Sequence, residues 1–433
     1  MEKKKNSPHC KYFVLRKKRY CKMTVKPGEE YCGEHQKVDT SKISDTPENK
    51  VRIVCPLDGK HTCYAHKLKK HLKICNARPK AAQPFISKGI NSGLDMDNDD
   101  ESNDSYRLLS SYPVTDIRNT ILKVNKIYET IVSQVLSHKI SSNNIVEEII
   151  TKPEHGDKAK KHLIQNSSIL GLLQEYNLIQ PSTCYIEFGA GRGQLSFWLA
   201  HAINLEETSS ILLIERASPK HKKDNKLARN SDSIKRIRAD ISDVVLDKLD
   251  GVEKSKHIVG VTKHLCGVAT DLALRCLSNA TQNKVAGGVF TFCCHHRCRW
   301  TPYTGKQFFQ ENNLTMQDFY IMCGMASWAT CGSGLSRERR KAESVDLLKQ
   351  SERDLEIGLT RDEKAEVGRR SKNVINYGRL FYLSQLGLKC HLHYYVDTQV
   401  TLENDRPQEP DNVKERNEEA VKGKKWRTTK RKQ

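Results

Sequence analysis

The chain has 433 residues and a formal net charge of +21 at pH 7, room for one large domain or about two to three smaller ones and an excess of positive charge suited to an anionic partner, nucleic acid first. No apolar run reaches the length of a membrane span, and the N-terminal MEKKKNSPHC has no signal-peptide core, so a soluble intracellular protein of the nucleus and/or cytoplasm is expected. Fifteen cysteines in such a compartment do not make a disulfide framework, and their clustering points to metal binding or site chemistry.

The first cluster is Cys10, Cys21, Cys32 and His35, spaced C-x10-C-x10-C-x2-H in a segment rich in Lys, Arg and Tyr. So short a segment cannot build an apolar core, and four ligands on one zinc ion would supply its folding energy. His9 is a possible substitute ligand. Next come Cys55, His61, His71 and Cys75, spaced C-x5-H-x9-H-x3-C. Residues 65–74 read as a short helix whose last turn puts His71 and Cys75 on one face toward a shared metal, with Cys63 and His66 as spare donors. Lys67, Lys69, Lys70 and Lys73 occupy its other faces, a surface fit to lie along phosphates or to stay solvated.

Residues 79–111 turn polar and acidic, the composition of a disordered linker. Ile117, Ile121, Val124, Tyr128, Ile131 and Val135 then fall on one helical stripe, to be packed against the following domain or paired as a short coiled coil. A second helix is expected over 162–176.

The stretch CYIEFGAGRGQLS, from Cys184 to Ser196, reads as an apolar strand, a glycine turn and a helix start. Gly189, Gly191 and Gly193 let a backbone loop approach a nucleotide-like ligand closely. Their G-x-G-x-G spacing differs from the dinucleotide fingerprint, and the preceding Glu187 would repel a pyrophosphate while attracting the ammonium or sulfonium region of S-adenosylmethionine. Apolar strands and helices alternate beyond this point, as in a doubly wound α/β sheet. Glu215 ends the second strand, where nucleotide-binding folds place an acid on ribose hydroxyls, although the adjacent Arg216 makes a surface ion pair an alternative. Asp240 follows the third strand, placed for adenine or as a helix cap.

The fourth strand ends in Lys263, His264 and Cys266, and the fifth in Cys293, Cys294, His295, His296, Arg297 and Cys298. Ligands gather at the carboxyl ends of strands in open α/β sheets. Three readings of the second cluster stay open: a further zinc site, packed structural thiols, or a substrate pocket in which a neutral His accepts a proton and Arg297 holds a phosphate. A charged insertion at 336–372, a helix over 373–386 capped by Gly387, and a last strand in LKCHLHYYVD follow. The tail ends in KGKKWRTTKRKQ, basic and expected to be unfolded, with affinity for phosphates or a nuclear-import role.

The two Cys/His patterns, EFGAGRG, KHLCG with TDLALRCL, and CCHHRC, in this order, resemble the eukaryotic tRNA 2′-O-methyltransferases that modify the fourth nucleotide, in the acceptor stem. The resemblance covers both fingers and nearly all of 161–397. It implies a Rossmann-like class I fold, S-adenosylmethionine as methyl donor, zinc on both quartets and tRNA as substrate. Lys263 or His264 would orient or deprotonate the attacking hydroxyl, with His295 or His296 as competing base. The Lys-Asp-Lys-Glu set of many 2′-O-methyltransferases has no counterpart motif in this sequence. The resulting division is a CCCH-type finger at 1–40, a CHHC-type finger at 51–78, the linker 79–111, a helical segment 112–180, a methyltransferase domain 181–400 and a basic tail 401–433. A methyltransferase with a protein or small-molecule substrate, or a noncatalytic RNA-binding adaptor, remain alternatives.

Overall fold

The structure is a computed structural model that describes residues 9–14, 19–32, 35, 51–59, 61–75, 83–93, 107–203, 208–227, 232–331, 355–397 and 400. The chain divides into two compact units, Met1–Gln83 and Pro84–Gln433. The basic tail and most of the charged insertion lie outside the described residues.

The first unit holds two small antiparallel ribbons. β1 (Phe13–Val14) pairs with β2 (Arg19–Tyr20), and β3 (Arg52–Val54) with β4 (Thr62–Tyr64). Around the first ribbon the buried hydrophobic set among the described residues is Cys10, Val25 and Cys32, with Cys21 and Tyr31 against it, far too little apolar burial to fold a chain alone. After β4 a tight turn over Ala65–Lys67 runs into a helix at Leu68–Ile74, matching the helix expected over 65–74. Lys67 at the end of the turn and Lys69, Lys70 and Lys73 on the helix are exposed.

The second unit is built on a five-stranded, all-parallel sheet whose strands lie side by side in the order Val285–Val289, His257–Val261, Thr183–Phe188, Ser210–Ile214, Ile234–Ile237. The strands are β6 (Thr183–Phe188), β7 (Ser210–Ile214), β8 (Ile234–Ile237), β9 (His257–Val261) and β11 (Val285–Val289). All six residues of β6 are buried, as expected of a central strand covered on both faces. The period-two alternation sends Cys184, Ile186 and Phe188 into one core with the Val268–Ser278 helix. It sends Tyr185 into the other, with the helices Asp157–Glu175 and Gln194–Ala202. The chain leaves β6 in one direction to reach β7 and returns on the other side to β9, so a crevice opens between the carboxyl ends of β6 and β9.

A third apolar cluster joins the helices Val114–Ile127, Met316–Met325 and Arg361–Gln385. The expected stripe is buried at Ile117, Ile121 and Val124; the helix then widens over Tyr128–Val132 and leaves Val135 exposed, so it packs within its own unit. The helix expected over 373–386 begins at Arg361, inside the charged insertion. Thr360 and Glu363 form a reciprocal capping box that nucleates it there, and Gly387, at φ 79°, follows its end. The last strand, β13 (Leu392–Tyr394), does not join the main sheet but pairs in parallel with β5 (Leu136–His138).

Part of the stretch expected as disordered linker is ordered. Asn91, 1% exposed, donates through Nδ2 to the carbonyls of Ile241 (2.7 Å) and Val244 (2.9 Å), and Ile86 bridges Val244. Composition hid this segment because one buried amide and a few apolar contacts suffice to dock it.

Candidate active site and metal centres

In each N-terminal quartet the four donor atoms all lie within 4.8 Å of one another. In the first, His35 presents Nδ1 to Cys10 Sγ (3.5 Å) and Cys32 Sγ (3.3 Å), and its ring stacks on Tyr12 at 3.9 Å. In the second, His61 and His71 meet through Nε2 at 3.1 Å, with Cys55 Sγ 3.2 Å from His71 and Cys75 Sγ 3.6 Å from His61. The Asp58 carboxylate sits 3.6 Å from His61 Nδ1; a carboxylate behind an imidazole fixes the ring so that the other nitrogen faces a metal. Sulfur and imidazole donors at these separations suit tetrahedral zinc. His9, whose backbone bridges Thr24, stands outside the first quartet, and Cys63, buried in β4, and His66 stand outside the second.

The glycine turn has three left-handed residues, Gly189, Gly191 and Gly193, at φ 65°, 49° and 69°. They do different work. A Cβ on Gly189 would strike Leu265 at 2.6 Å, and one on Gly193 would strike Asp224 at 2.6 Å, whereas at Gly191 nothing comes closer than 3.9 Å. A Cβ on Gly191 would therefore meet no more than ordinary contact, while its two neighbours are set by packing against protein. The loop is tied down from several sides. Gly189 and Ala190 donate to the Ile214 carbonyl at 2.9 and 3.2 Å. Arg236, in β8, donates to the Gly191 carbonyl at 3.0 Å while paired with the buried Asp224 at 2.7 Å.

Glu187 is only 4% exposed and sits beneath the loop, accepting from the Ser196 N–H at 2.9 Å and from the Ser196 hydroxyl. Burial pushes its carboxyl up to about 7 against those hydrogen bonds. The structure thus places Glu187 at the start of the Gln194–Ala202 helix, with the loop carried above it. Glu215 stands at the end of β7 and accepts from the Gly191 N–H at 2.9 Å and the Ala217 N–H at 2.7 Å. Arg216 pairs not with Glu215 but with Asp240 at 3.1 Å, and Asp240 also caps the short turn Ile241–Asp243.

Across the crevice, Lys263 follows β9. Its ammonium is buried and donates to the His162 carbonyl at 2.9 Å. Burial drives its pKa down to about 8, with the Glu187 charge opposing, so the neutral amine is accessible near physiological pH. His264 lies at the surface; the protein crowding its ring and the Lys263 charge lower its pKa to about 4. His162 faces it with the two rings edge to face at 6.1 Å. One turn along the same helix, Asn166 is fully buried and neither its amide oxygen nor its nitrogen meets a partner among the described residues. Nothing in the sequence pattern singles out His162 or Asn166.

The CCHHRC cluster splits. Its two middle histidines diverge: His296 and Arg297 are exposed, while His295 is 2% exposed and bonded through Nε2 to Asn376 at 2.8 Å. Burial, with the Arg379 charge, holds the His295 ring neutral, well below its ordinary pKa. Asn376 also accepts from Arg379 at 3.0 Å, Arg379 pairs with Asp271 at 2.7 Å, and Arg379 donates to Cys298 Sγ at 3.2 Å. His295 and Cys298 therefore belong to an internal polar network, and a base role at a solvent-open pocket does not suit His295 for that reason. Cys293 and Cys294 instead gather with Cys266. A cavity of about 470 Å³ runs along β11, lined by Lys263, His264, Thr291, Cys293, Lys372 and Tyr394 among others, and none of the glycine-turn residues borders it.

Three family models match the chain: "Methyltransferase TRM13" over residues 164–406, "CCCH zinc finger in TRM13 protein" over 8–36, and "U11-48K-like CHHC zinc finger" over 52–76. Relatives named tRNA:m(4)X modification enzyme TRM13 homolog in Mus musculus and Homo sapiens are 36% and 33% identical, each covering 91% of this chain and 92% and 93% of their own length. The Schizosaccharomyces pombe tRNA:m(4)X modification enzyme TRM13 is 32% identical over 83% of this chain and 95% of its own. Among solved structures, a coclaurine N-methyltransferase covers 64% of this chain at 14% identity with a TM-score of 0.23, too weak a likeness to argue from. With the first model spanning more than half of the chain and the two finger models falling on the two donor quartets, the chain belongs to the TRM13 methyltransferase family.

Proposed function

We propose that this chain transfers a methyl group from S-adenosylmethionine to the ribose 2′-hydroxyl of nucleotide four in the tRNA acceptor stem. One observation carries the reading: a glycine turn opens at Gly191 on one side of the sheet's switch point, and a buried, readily neutralised amine, Lys263, stands on the other. S-adenosylmethionine supplies an electrophilic methyl carbon on a sulfonium. Gly191 lets the cofactor approach the backbone closely, and Glu215 at the end of β7, whose carboxylate accepts the Gly191 N–H, meets it with Asp240 near the third strand's end. Gly189, Gly193 and Glu187 act behind the loop, fixing its path.

For the acceptor, Lys263 in its neutral form takes the hydroxyl proton, and His264 orients the same group from the surface. His296 and Arg297, exposed after β12 (Phe292–Cys293), are placed to meet phosphates. Zinc on Cys10, Cys21, Cys32 and His35, and on Cys55, His61, His71 and Cys75, would hold the fingers' basic surfaces in shape for an A-form stem read by phosphate and 2′-hydroxyl contacts. An intracellular setting, nuclear or cytoplasmic, accords with such a substrate; among the described residues no helix is long and apolar enough to cross a membrane.

The test follows label from methyl-tritiated cofactor into unmodified tRNA, with mass-spectrometric mapping of the modified nucleotide. Label at the fourth ribose supports the reading; label in protein or small molecules overturns it. For the base, the single-turnover rate should rise with pH through about 8 as Lys263, set among Glu187, His162 and His264, loses its proton. Lys263→Gln should remove that limb and most of the rate, on the order of 10²-fold. An unchanged profile in that variant sinks the assignment.

A further inference from the structure

Beyond Lys263 and Thr291 two short strands form a sheet of their own: β10 (Leu265–Cys266) runs parallel to β12, and Cys266 lies directly opposite Cys293. The two sulfurs are 3.4 Å apart. Cys294 joins them, the three Sγ atoms all lying within 4.8 Å of one another. In an extended strand consecutive side chains point to opposite faces, so two adjacent cysteines should part. Here Cys294 takes the left-handed conformation, φ 51° and ψ 45°, and so turns its sulfur back to the same side. For a residue with a side chain that conformation is disfavoured and persists where its surroundings impose it. Gly267, also left-handed at φ 58°, brings the next loop in so closely that a Cβ there would meet the Arg297 backbone at 2.6 Å. The Gly267 N–H donates to the Cys293 carbonyl at 3.3 Å.

The two finger quartets calibrate this spacing within the same molecule. Their donor atoms approach at 3.1 to 3.8 Å, and the Cys266–Cys293 separation falls inside that range. We propose that Cys266, Cys293 and Cys294 form a third metal site, a zinc ion held by three thiolates with its fourth position left to a non-protein ligand. Three protein ligands and one open position is the arrangement of zinc sites that meet small molecules rather than merely staple a fold. Cys293 also lines the cavity that Lys263 and His264 border, so the open position belongs to the acceptor side of the crevice. Binding replaces three S–H bonds with three metal–sulfur bonds and releases the protons to solvent.

The full-length chain, purified without chelator, should carry about three zinc ions by elemental mass spectrometry, two in the fingers and one on this trio. Cys294→Ser, at a half-buried position, should lower the count by about one while the finger sites stay filled. A wild-type count of about two, or an undiminished count in Cys294→Ser, overturns the proposal. A second measurement needs no variant. Iodoacetamide labelling of the wild-type chain, mapped by peptide, should reach Cys266 and Cys294 at least about tenfold faster once a chelator has removed metal. Equal rates with and without chelator, or recovery of a Cys266–Cys293 disulfide from the freshly purified chain, argue decisively against the site.

Discussion

The two units of this chain hold their functional groups in place by opposite means. Among the described residues of Met1–Gln83 the cysteine and histidine donors form most of the interior, with Val25 the aliphatic side chain buried beside the first quartet. In Pro84–Gln433 three extensive apolar clusters form the interior, and the chemistry-bearing groups hang from the ends of strands that those clusters fix. The first unit should therefore stand or fall with metal, and the second with packing and its buried polar bonds.

The largest effect should come from breaking that separation at a finger ligand. Cys75→Ala removes a donor from a site whose zinc binding is folding free energy, roughly 10–16 kcal/mol for structural zinc. Residues 51–75 should become protease-sensitive while the thermal transition of the methyltransferase unit stays put; a shift in both would show that the units are energetically one.

Next in size is the converse, a blow to the second unit that leaves finger zinc untouched. Asp271 and Arg379 form a pair with side chains 0% and 1% exposed, and removing one partner strands the other charge. Asp271→Ala should cost about 3–5 kcal/mol in urea unfolding, with zinc content of the fingers unchanged. A loss below about 1 kcal/mol would mean that the network is dispensable.

A smaller effect is set by pH. Glu187 has a folded-state carboxyl raised to about 7 from 4.5 by burial, so between those values the folded protein keeps a proton that the unfolded chain has released. Stability should fall as pH rises from about 4.5 to 7, by at most about 3 kcal/mol. Glu187→Gln should flatten that slope, and urea midpoints at the two ends of the window measure it. The smallest change is local: Thr360→Ala deletes half of a capping box and should cost about 1 kcal/mol, fraying the first turn of the Arg361–Gln385 helix without touching cofactor affinity.

Much of the glycine-turn side of the crevice was legible because it depends on local signals. Glycines in a strand-turn-helix segment, an acid at the end of the next strand and regularly spaced Cys/His donors are all visible in one dimension. Less legible is the Ser196 contact of Glu187: its place two residues before Gly189 suggests a ligand contact, and the fold also brings the Ser196 N–H onto its carboxylate. The acceptor side was less legible because it is assembled across the sequence. Cys266 looked like a companion of Lys263 and His264, and Cys298 like one of Cys293; the fold exchanges those companions, bringing Cys266 to Cys293 and Cys298 to Arg379. The network from His295 through Asn376 and Arg379 to Asp271 joins side chains up to 108 residues apart in sequence, and no periodicity reports such a pairing. Residues 84–93 were misjudged for a related reason: polarity marks a linker only when its amides lack a dock, and Asn91 has one.

The bond from Lys263 to the His162 carbonyl also has a stereochemical consequence. A carbonyl oxygen can only accept, so it must be met by one of the amine's hydrogens whether the amine is charged or neutral. When the proton is lost, rotation about the last carbon–nitrogen bond is already restricted, and the lone pair is confined to directions away from the Asp157–Glu175 helix. The helix thereby serves as a fence post for an orbital. A shift of that helix by one turn would leave the amine in the crevice yet free its lone pair to wander, and transfer would slow with no residue of the crevice altered.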